Sequence, residues 1–215
     1  MTKALESTRL DTVRAWVDGW TVSRGTPPPV TEPWGLRVDT GLPGHVARHV
    51  VPDPTPALIQ RLTSAIKVPG TWLKLCAPAE LIAPWLPPGW AIDPPEYLMT
   101  GTLTREHAAA PPGYTLAVTT RAGVTVARLL TDAGEIAARG QLATAGWAAV
   151  VDRVETAENH RRRGLGVVVM KTLAATAVSR GATTGVLVAT PEGRKLYESL
   201  GWRLRSPMTA AVFTG

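Results

Sequence analysis

The chain has 215 residues, a formal charge of +6 and 45% hydrophobic residues, which is apolar enough for a real core and excludes wholesale disorder. Cys76 is its only cysteine, excluding an intrachain disulfide and a cysteine-based zinc cluster. No run reaches the roughly 18 apolar residues of a membrane span and the charged start MTKALESTRLDTVRAWVDGW does not read as a signal peptide, so a cytoplasmic protein is expected, its positive charge suiting a phosphorylated cofactor, a nucleic acid or an acidic substrate.

Leu10, Val13, Trp16, Val17 and Trp20 recur at helical spacing and predict a helix from about Ala4 to Ser23. Gly25 and Thr26 to Pro29 stop it. WGLRVDT and HVARHVV, on either side of GLPG, predict two strands joined by a turn. Thr55 as N-cap, Pro56 at the first helical position and Leu58, Leu62 and Ile66 predict the next helix. TWLKLC reads as a strand, AELIAPWL as a short helix and EYLMTGTL as another strand. AAAPPGY, Ala108 to Tyr114, marks a boundary between residues 1–110 and 111–215.

Beyond it YTLAVTT, VTVARLLT, EIAARGQLAT and WAAVVDRVET predict an antiparallel meander. VETAENHRRRGLGVVVM then runs into a helix ending near Arg180, with Gly181 as its stop. TGVLVA is a short apolar strand, and TPEGRKLYESLGW is a helix with Thr190 as N-cap, Pro191 at its first position and Gly201 past its end. WRLRS and TAAVFT close the chain as two strands. No internal repeat is visible as sequence identity.

Arg161, Gly164 and Gly166 form R-x-x-G-x-G at a strand-to-helix junction. The third glycine of a dinucleotide fingerprint would fall at Val169, and no Gly-Lys-Ser/Thr follows, so neither that fingerprint nor a P-loop is present. A helix start offers unpaired N–H groups and a partial positive charge, and glycines let an anion approach them. A solvated basic turn has the same composition. His45 and His49 sit in a strand-like segment with no third ligand in view, so no metal is expected. His160 abuts the basic turn as an exposed residue, and Trp16, Trp20, Trp72 and Trp85 suit core or pocket positions.

RRRGLG opening one helix, and LYESLGW ending the next, resemble the GNAT superfamily of acyl-CoA-dependent N-acyltransferases over about residues 114–215. The resemblance implies an α/β (α+β) fold, a central mixed, mostly antiparallel sheet flanked by helices. It implies acetyl-CoA as cosubstrate and no metal, with the amides of Arg162, Arg163, Gly164, Leu165, Gly166 and Val167 around the pyrophosphate. Arg161, Arg162 and Arg163 would add charge, and the strand Val154, Glu155 and Thr156 would pair with pantetheine. Tyr197 resembles the general acid that protonates the departing thiolate. Asp152 and Glu155, on opposite faces by strand alternation, are the candidate proton acceptors, with a water chain as the alternative.

Two departures from the family pattern stand out. Thr190 and Gly193 replace the asparagine and alanine often found seven and four residues before the tyrosine. Thr190 is thus the expected contact in the cofactor layer. The helical segment usually found between the first two strands is also missing after Tyr114. Residues 1–110, an α/β region in their own right, then suggest a reduced second copy of the fold that contributes to the acceptor site. The expected activity is acetyl transfer to a primary amine, of a small molecule in preference to a protein or peptide, by a monomer or homodimer. A nucleic-acid-binding module, or an acyl-CoA-binding protein without turnover, would use the basic turn but not the whole pattern.

Overall fold

The computed structural model describes residues 2–215, with side chains from Arg9 onward. Helix α1 (Thr2–Arg24) precedes β1 (Val30–Glu32), β2 (Gly35–Leu42) and β3 (His45–Val51), then α2 (Pro56–Ala65) and β4 (Thr71–Leu75). The short α3 (Ala79–Ile82) runs into a 3-10 turn, followed by β5 (Trp90–Ile92) and β6 (Glu96–Thr102). The meander is β7 (Tyr114–Arg121), β8 (Val124–Thr131), β9 (Ile136–Ala145) and β10 (Ala148–Thr156). Then come α4 (Leu165–Ser179), β11 (Thr184–Ala189), α5 (Pro191–Ser199) and β12 (Arg203–Phe213).

The strands form one sheet in the order β1-β2-β3-β4-β12-β6-β11-β10-β9-β8-β7, with β5 also on β12. Only β3/β4 and β10/β11 are parallel, each joined by a crossover helix, α2 and α4. About the central β12–β6 pair the pairings repeat. β2 is antiparallel to β3, β3 parallel to β4, and β4 antiparallel to β12; likewise β9 to β10, β10 to β11 and β11 to β6. Each half therefore lends the other a strand, and the sheet runs unbroken through the sequence boundary at Ala108 to Tyr114.

The expected two closing strands are one. Residues 203–208 of β12 pair with β6, and residues 209–212 pair with β4. At Pro207 only the β6 edge is paired, so the missing N–H leaves the other edge unharmed.

Two faces of the sheet carry different layers. Val169 and Leu173 of α4, Ala149 and Val151 of β10, and Tyr197 and Trp202 share one core. Val13, Trp16, Val17 and Trp20 of α1 pack on Val50, Ala148, Val150 and Val186 on the other. Leu10, expected on that stripe, is exposed. Two glycines set how close α1 and Trp202 come. A Cβ on Gly19 would lie 2.4 Å from Val150 Cγ2, so the α1 backbone lies directly on the Val150 side chain of β10. One on Gly185 would lie 2.4 Å from the Trp202 ring, which also covers Gly101.

Candidate active site

The parallel pair at the centre of the C-terminal half opens. β10 and β11 pair from Ala148↔Thr184 to Val150↔Val186 and no further, although both strands continue, to Thr156 and Ala189. The β3/β4 pair holds from Ala47↔Thr71 to Val51↔Leu75, the full length of β4, and has no such opening. Beyond Val150 the free edge of β10 and its unpaired backbone groups face the gap.

Just past the opening β10 bulges. Asp152 pairs with Gln141 and Glu155 with Arg139, so β10 carries one extra residue, and Arg153 takes a φ of 51°. The bulge resets the alternation. Asp152 faces α1, where it bonds Ser23 and Arg24, whereas Val154 packs into the α4-side core and Thr156 lies beside Gly166. Glu155 therefore shares the α1 face with Asp152, contrary to the strict alternation expected from sequence.

The glycine turn is built as a helix start. Gly164 is the N-cap of α4 with φ 75°, and no side chain caps the helix. A Cβ on Gly164 would meet nothing within 4 Å, so its conformation, not crowding, requires glycine. Gly166 is the tight position, where a Cβ would come within 3.1 Å of Leu196 Cδ2 on α5. The Val167 N–H already donates to the Gly164 carbonyl at 3.0 Å, so among the expected pyrophosphate amides this one is engaged. The N–H groups at the first two helical positions, Leu165 and Gly166, have no intrahelical acceptor by geometry.

The arginines differ. Arg161 Nε donates to the Thr156 carbonyl at 3.4 Å, and Arg163 donates to Tyr114 Oη at 3.0 Å and to the Asn159 carbonyl at 3.2 Å. Tyr114 Oη also meets His160 Nδ1 at 2.8 Å. Two of the three guanidiniums thus brace the turn, while Arg162 is exposed with φ 59°.

Helix α5 explains the departures at 190 and 193. Thr190 Oγ1 accepts from the Gly193 N–H at 3.1 Å, so its hydroxyl is the N-cap. A Cβ on Gly193 would sit 3.2 Å from Tyr197 Cε2; glycine leaves room for that ring. Tyr197 is 7% exposed and packs on Trp202 with ring centroids 5.9 Å apart. Burial, then the Asp152 carboxylate, push its phenol up to about 12, so it is protonated at neutral pH.

On the α1 face, at the mouth of the opening, lies a cavity of about 130 Å³ between Val151 and Asp152 of β10 and Val188 of β11. Arg24, Arg48, Lys74 and Glu96 form its charged wall, with Trp16 and Trp20. Asp152 is saturated. Its Oδ1 accepts from Arg24 Nη2 at 2.8 Å and the Arg153 N–H at 2.9 Å, and its Oδ2 from Arg24 Nε at 2.5 Å and Ser23 Oγ at 3.1 Å. A carboxylate has about four acceptor sites, and all are used. Glu155 is exposed, and its carboxylate has no hydrogen bond or ion pair to a described residue.

Sequence reasoning missed Arg24, Arg48, Lys74 and Glu96. Lys74 in TWLKLC and Arg48 in HVARHVV are charges inside apolar strands, and that was the available signal. His45 stacks on Trp72 with centroids 4.7 Å apart and His49 on Trp34 at 5.0 Å. Among the described residues no three His, Cys, Asp or Glu side chains gather as a metal site, and no helix is long and apolar enough to cross a membrane.

The FR47-like protein family model matches residues 147–211, from β10 to β12. No functionally curated protein matches the chain. Among solved structures, it is similar to a GCN5-related N-acetyltransferase from Kribbella flavida, at 17% identity and TM-score 0.64, over 91% of this chain and 93% of that one. A GNAT-family acetyltransferase from Novosphingobium aromaticivorans matches at 21% identity and TM-score 0.60, over 95% and 99%. A GCN5-related N-acetyltransferase-like protein from Streptococcus suis matches at 14% and 0.57, over 96% and 99%. With the R-x-x-G-x-G helix start, the opened β10/β11 pair and the tyrosine before Gly-Trp in place, the chain has the fold of the GNAT acetyltransferases it is similar to, and its residues 147–211 match the FR47-like family model.

Proposed function

We propose that the chain is an acetyl-CoA-dependent N-acetyltransferase that acts on the primary amine of a small molecule by direct attack in a ternary complex. The observation that carries this reading is the β10/β11 opening, with a buried, protonated Tyr197 in the layer on one face and a charged cavity on the other. The backbone of Val154 to Thr156 would pair with pantetheine, and the N–H groups of Arg162 to Gly166 would hold the pyrophosphate, with Arg162 the guanidinium left to reach it. Thr190, its hydroxyl spent on the cap, would touch the cofactor only as part of the α5 start.

In the reaction a neutral amine nitrogen attacks the thioester carbonyl, its C–N bond forms, and the C–S bond breaks. Tyr197 gives its proton to the thiolate and regains one from solvent. A β10 backbone N–H beyond Val150 polarises the carbonyl. The amine proton passes through water to Glu155, the partner-free carboxylate on the cavity face. Asp152, saturated by its four donors, holds α1 against β10 and orients the cavity.

Residues 1–110 read best as a reduced second copy of the fold whose own parallel pair stays closed. It binds no cofactor and supplies Arg48, Lys74 and Glu96 to the acceptor wall of the copy in residues 111–215. A charged wall around so small a cavity favours a small acceptor over a folded protein. The folding back of Arg161 and Arg163 speaks against a basic nucleic-acid surface.

The test is an amine panel with acetyl-CoA, reading released thiol, on wild type and Tyr197→Phe. The phenylalanine keeps the ring packing, so stability and CoA affinity should hold while turnover falls on the order of 10²- to 10⁴-fold. Wild-type turnover in Tyr197→Phe would remove the assigned acid.

A further inference from the structure

The charges around the cavity do not cancel. Lys74 Nζ meets both oxygens of Glu96, at 2.7 and 2.6 Å, and Arg24 meets both oxygens of Asp152. These two ion pairs are closed. Arg48, the third cation of the wall, pairs with no carboxylate among the described residues, although it is only 8% exposed. Its guanidinium lies over the Trp20 ring, 4.2 Å from the centroid. Nη2 meets His45 Nε2 at 2.7 Å, and Nε has no hydrogen-bond partner among the described residues.

His45 does not supply the missing negative charge. Burial first, then Arg48, lower its pKa to about 4, so at neutral pH it is an uncharged acceptor. Burial also lowers Arg48, to about 10, which still leaves it charged at neutral pH. Glu96 and Asp152 attract it from a distance, but a buried guanidinium with no carboxylate in contact is costly, and arginine does not relieve the cost by losing its proton. A counter-ion brought in by a ligand relieves it.

From this we infer that the acceptor carries a carboxylate as well as its amine, and that Arg48 holds the carboxylate. The inference rests on the N-acetyltransferase reading and names the acceptor class for that same site. The cavity reaches from the Arg48 wall to Val151 and Asp152 at the opening, so a short zwitterion anchored by its carboxylate presents its amine toward the thioester position. A volume of about 130 Å³ is close to the roughly 150 Å³ of a cavity that takes a benzene-sized guest, the scale of a short amino acid.

The experiment compares short α- and ω-amino acids and their dipeptides with the corresponding primary amides. Calorimetry on the CoA-saturated protein gives binding, and thiol release gives turnover. The carboxylates should bind at least about tenfold tighter than the amides in wild type. Arg48→Gln should remove that preference while acetyl-CoA affinity and thermal midpoint stay near wild type. Arg48→Lys, which keeps the charge but not the planar fork, should retain part of it. Should Arg48→Gln fail to fold, the wild-type comparison and Arg48→Lys decide.

Amides binding as tightly as carboxylates, no carboxylate binding to a protein that binds CoA, or a preference surviving Arg48→Gln would each overturn the inference. Selective carboxylate binding through Arg48 with no thiol release from any amine would instead leave this site standing and sink the acetyl-transfer reading. Acetylation of amides or simple amines, with carboxylates ignored, would do the opposite.

Discussion

Replacing Asp152 by asparagine keeps the side chain's size but removes its charge and turns an NH2 toward donors that need acceptors. In the native chain Asp152 takes four hydrogen bonds, two of them from Arg24. The Arg24 and Asp152 side chains are 31% and 13% exposed, between a surface pair and a fully buried one. Breaking a surface pair costs about 0–1 kcal/mol, and breaking a buried one about 3–5 kcal/mol. We expect Asp152→Asn to cost about 2 kcal/mol, which for a chain of this size lowers the thermal midpoint by roughly 4–8 °C. Arg24→Met should cost about as much by leaving the carboxylate unpaired, and Asp152→Leu with Arg24→Met should cost less than the two single changes summed. Differential scanning calorimetry reads the stabilities and thiol release reads activity. If the pair clamps α1 onto β10, Asp152→Asn and Arg24→Met should lower kcat/KM to similar, modest extents of at most about tenfold, with CoA affinity little changed. A proton acceptor at 152 behaves otherwise, losing on the order of 10²- to 10⁴-fold in Asp152→Asn alone. An unshifted midpoint combined with that loss would refute the clamp.

Gly185→Ala drives a methyl into the Trp202 ring, where a Cβ would lie 2.4 Å away, and should lower stability by about 1–3 kcal/mol in urea melts. Gly164→Val forces a branched residue into φ 75° and should cost CoA-induced thermal stabilisation out of proportion to any loss of fold, checked by circular dichroism. His45 is held neutral in the fold, its pKa lowered from 6.5 to about 4. The unfolded chain therefore takes up the proton first, and stability present above about pH 6.5 is lost as pH falls toward 4. His45→Gln should flatten that limb of the midpoint-against-pH curve, and an unchanged limb would assign it to other groups.

The geometry of the glycine turn and of α5 was legible because it is local. One strand, one turn and one helix start contain it, and Gly164 at positive φ, the Thr190 cap and Tyr197 two turns into α5 each sit within a few residues of the signal that announces them. The bulge was not legible, since it places Arg153, not a glycine, at positive φ, and so the faces of Asp152 and Glu155 were misread. The exchange of β6 and β12 between halves left no local trace either, because strand partners are chosen by the whole sheet and not by their own sequence. The charged cavity wall fails for the same reason more acutely. Arg24, Arg48, Lys74 and Glu96 come from α1, β3, β4 and β6, and nothing in their spacing links them. Each taken alone is a charge on a helix end or strand, most economically read as solvated. Only when Gly19 lets α1 lie against Val150, and β12 brings β4 within one strand of β6, do those charges meet beside the opening. A backbone cradle for a phosphorylated cofactor can be written into one segment. A pocket for a small acceptor is made of side-chain tips from distant segments, so its chemistry becomes visible only in the fold.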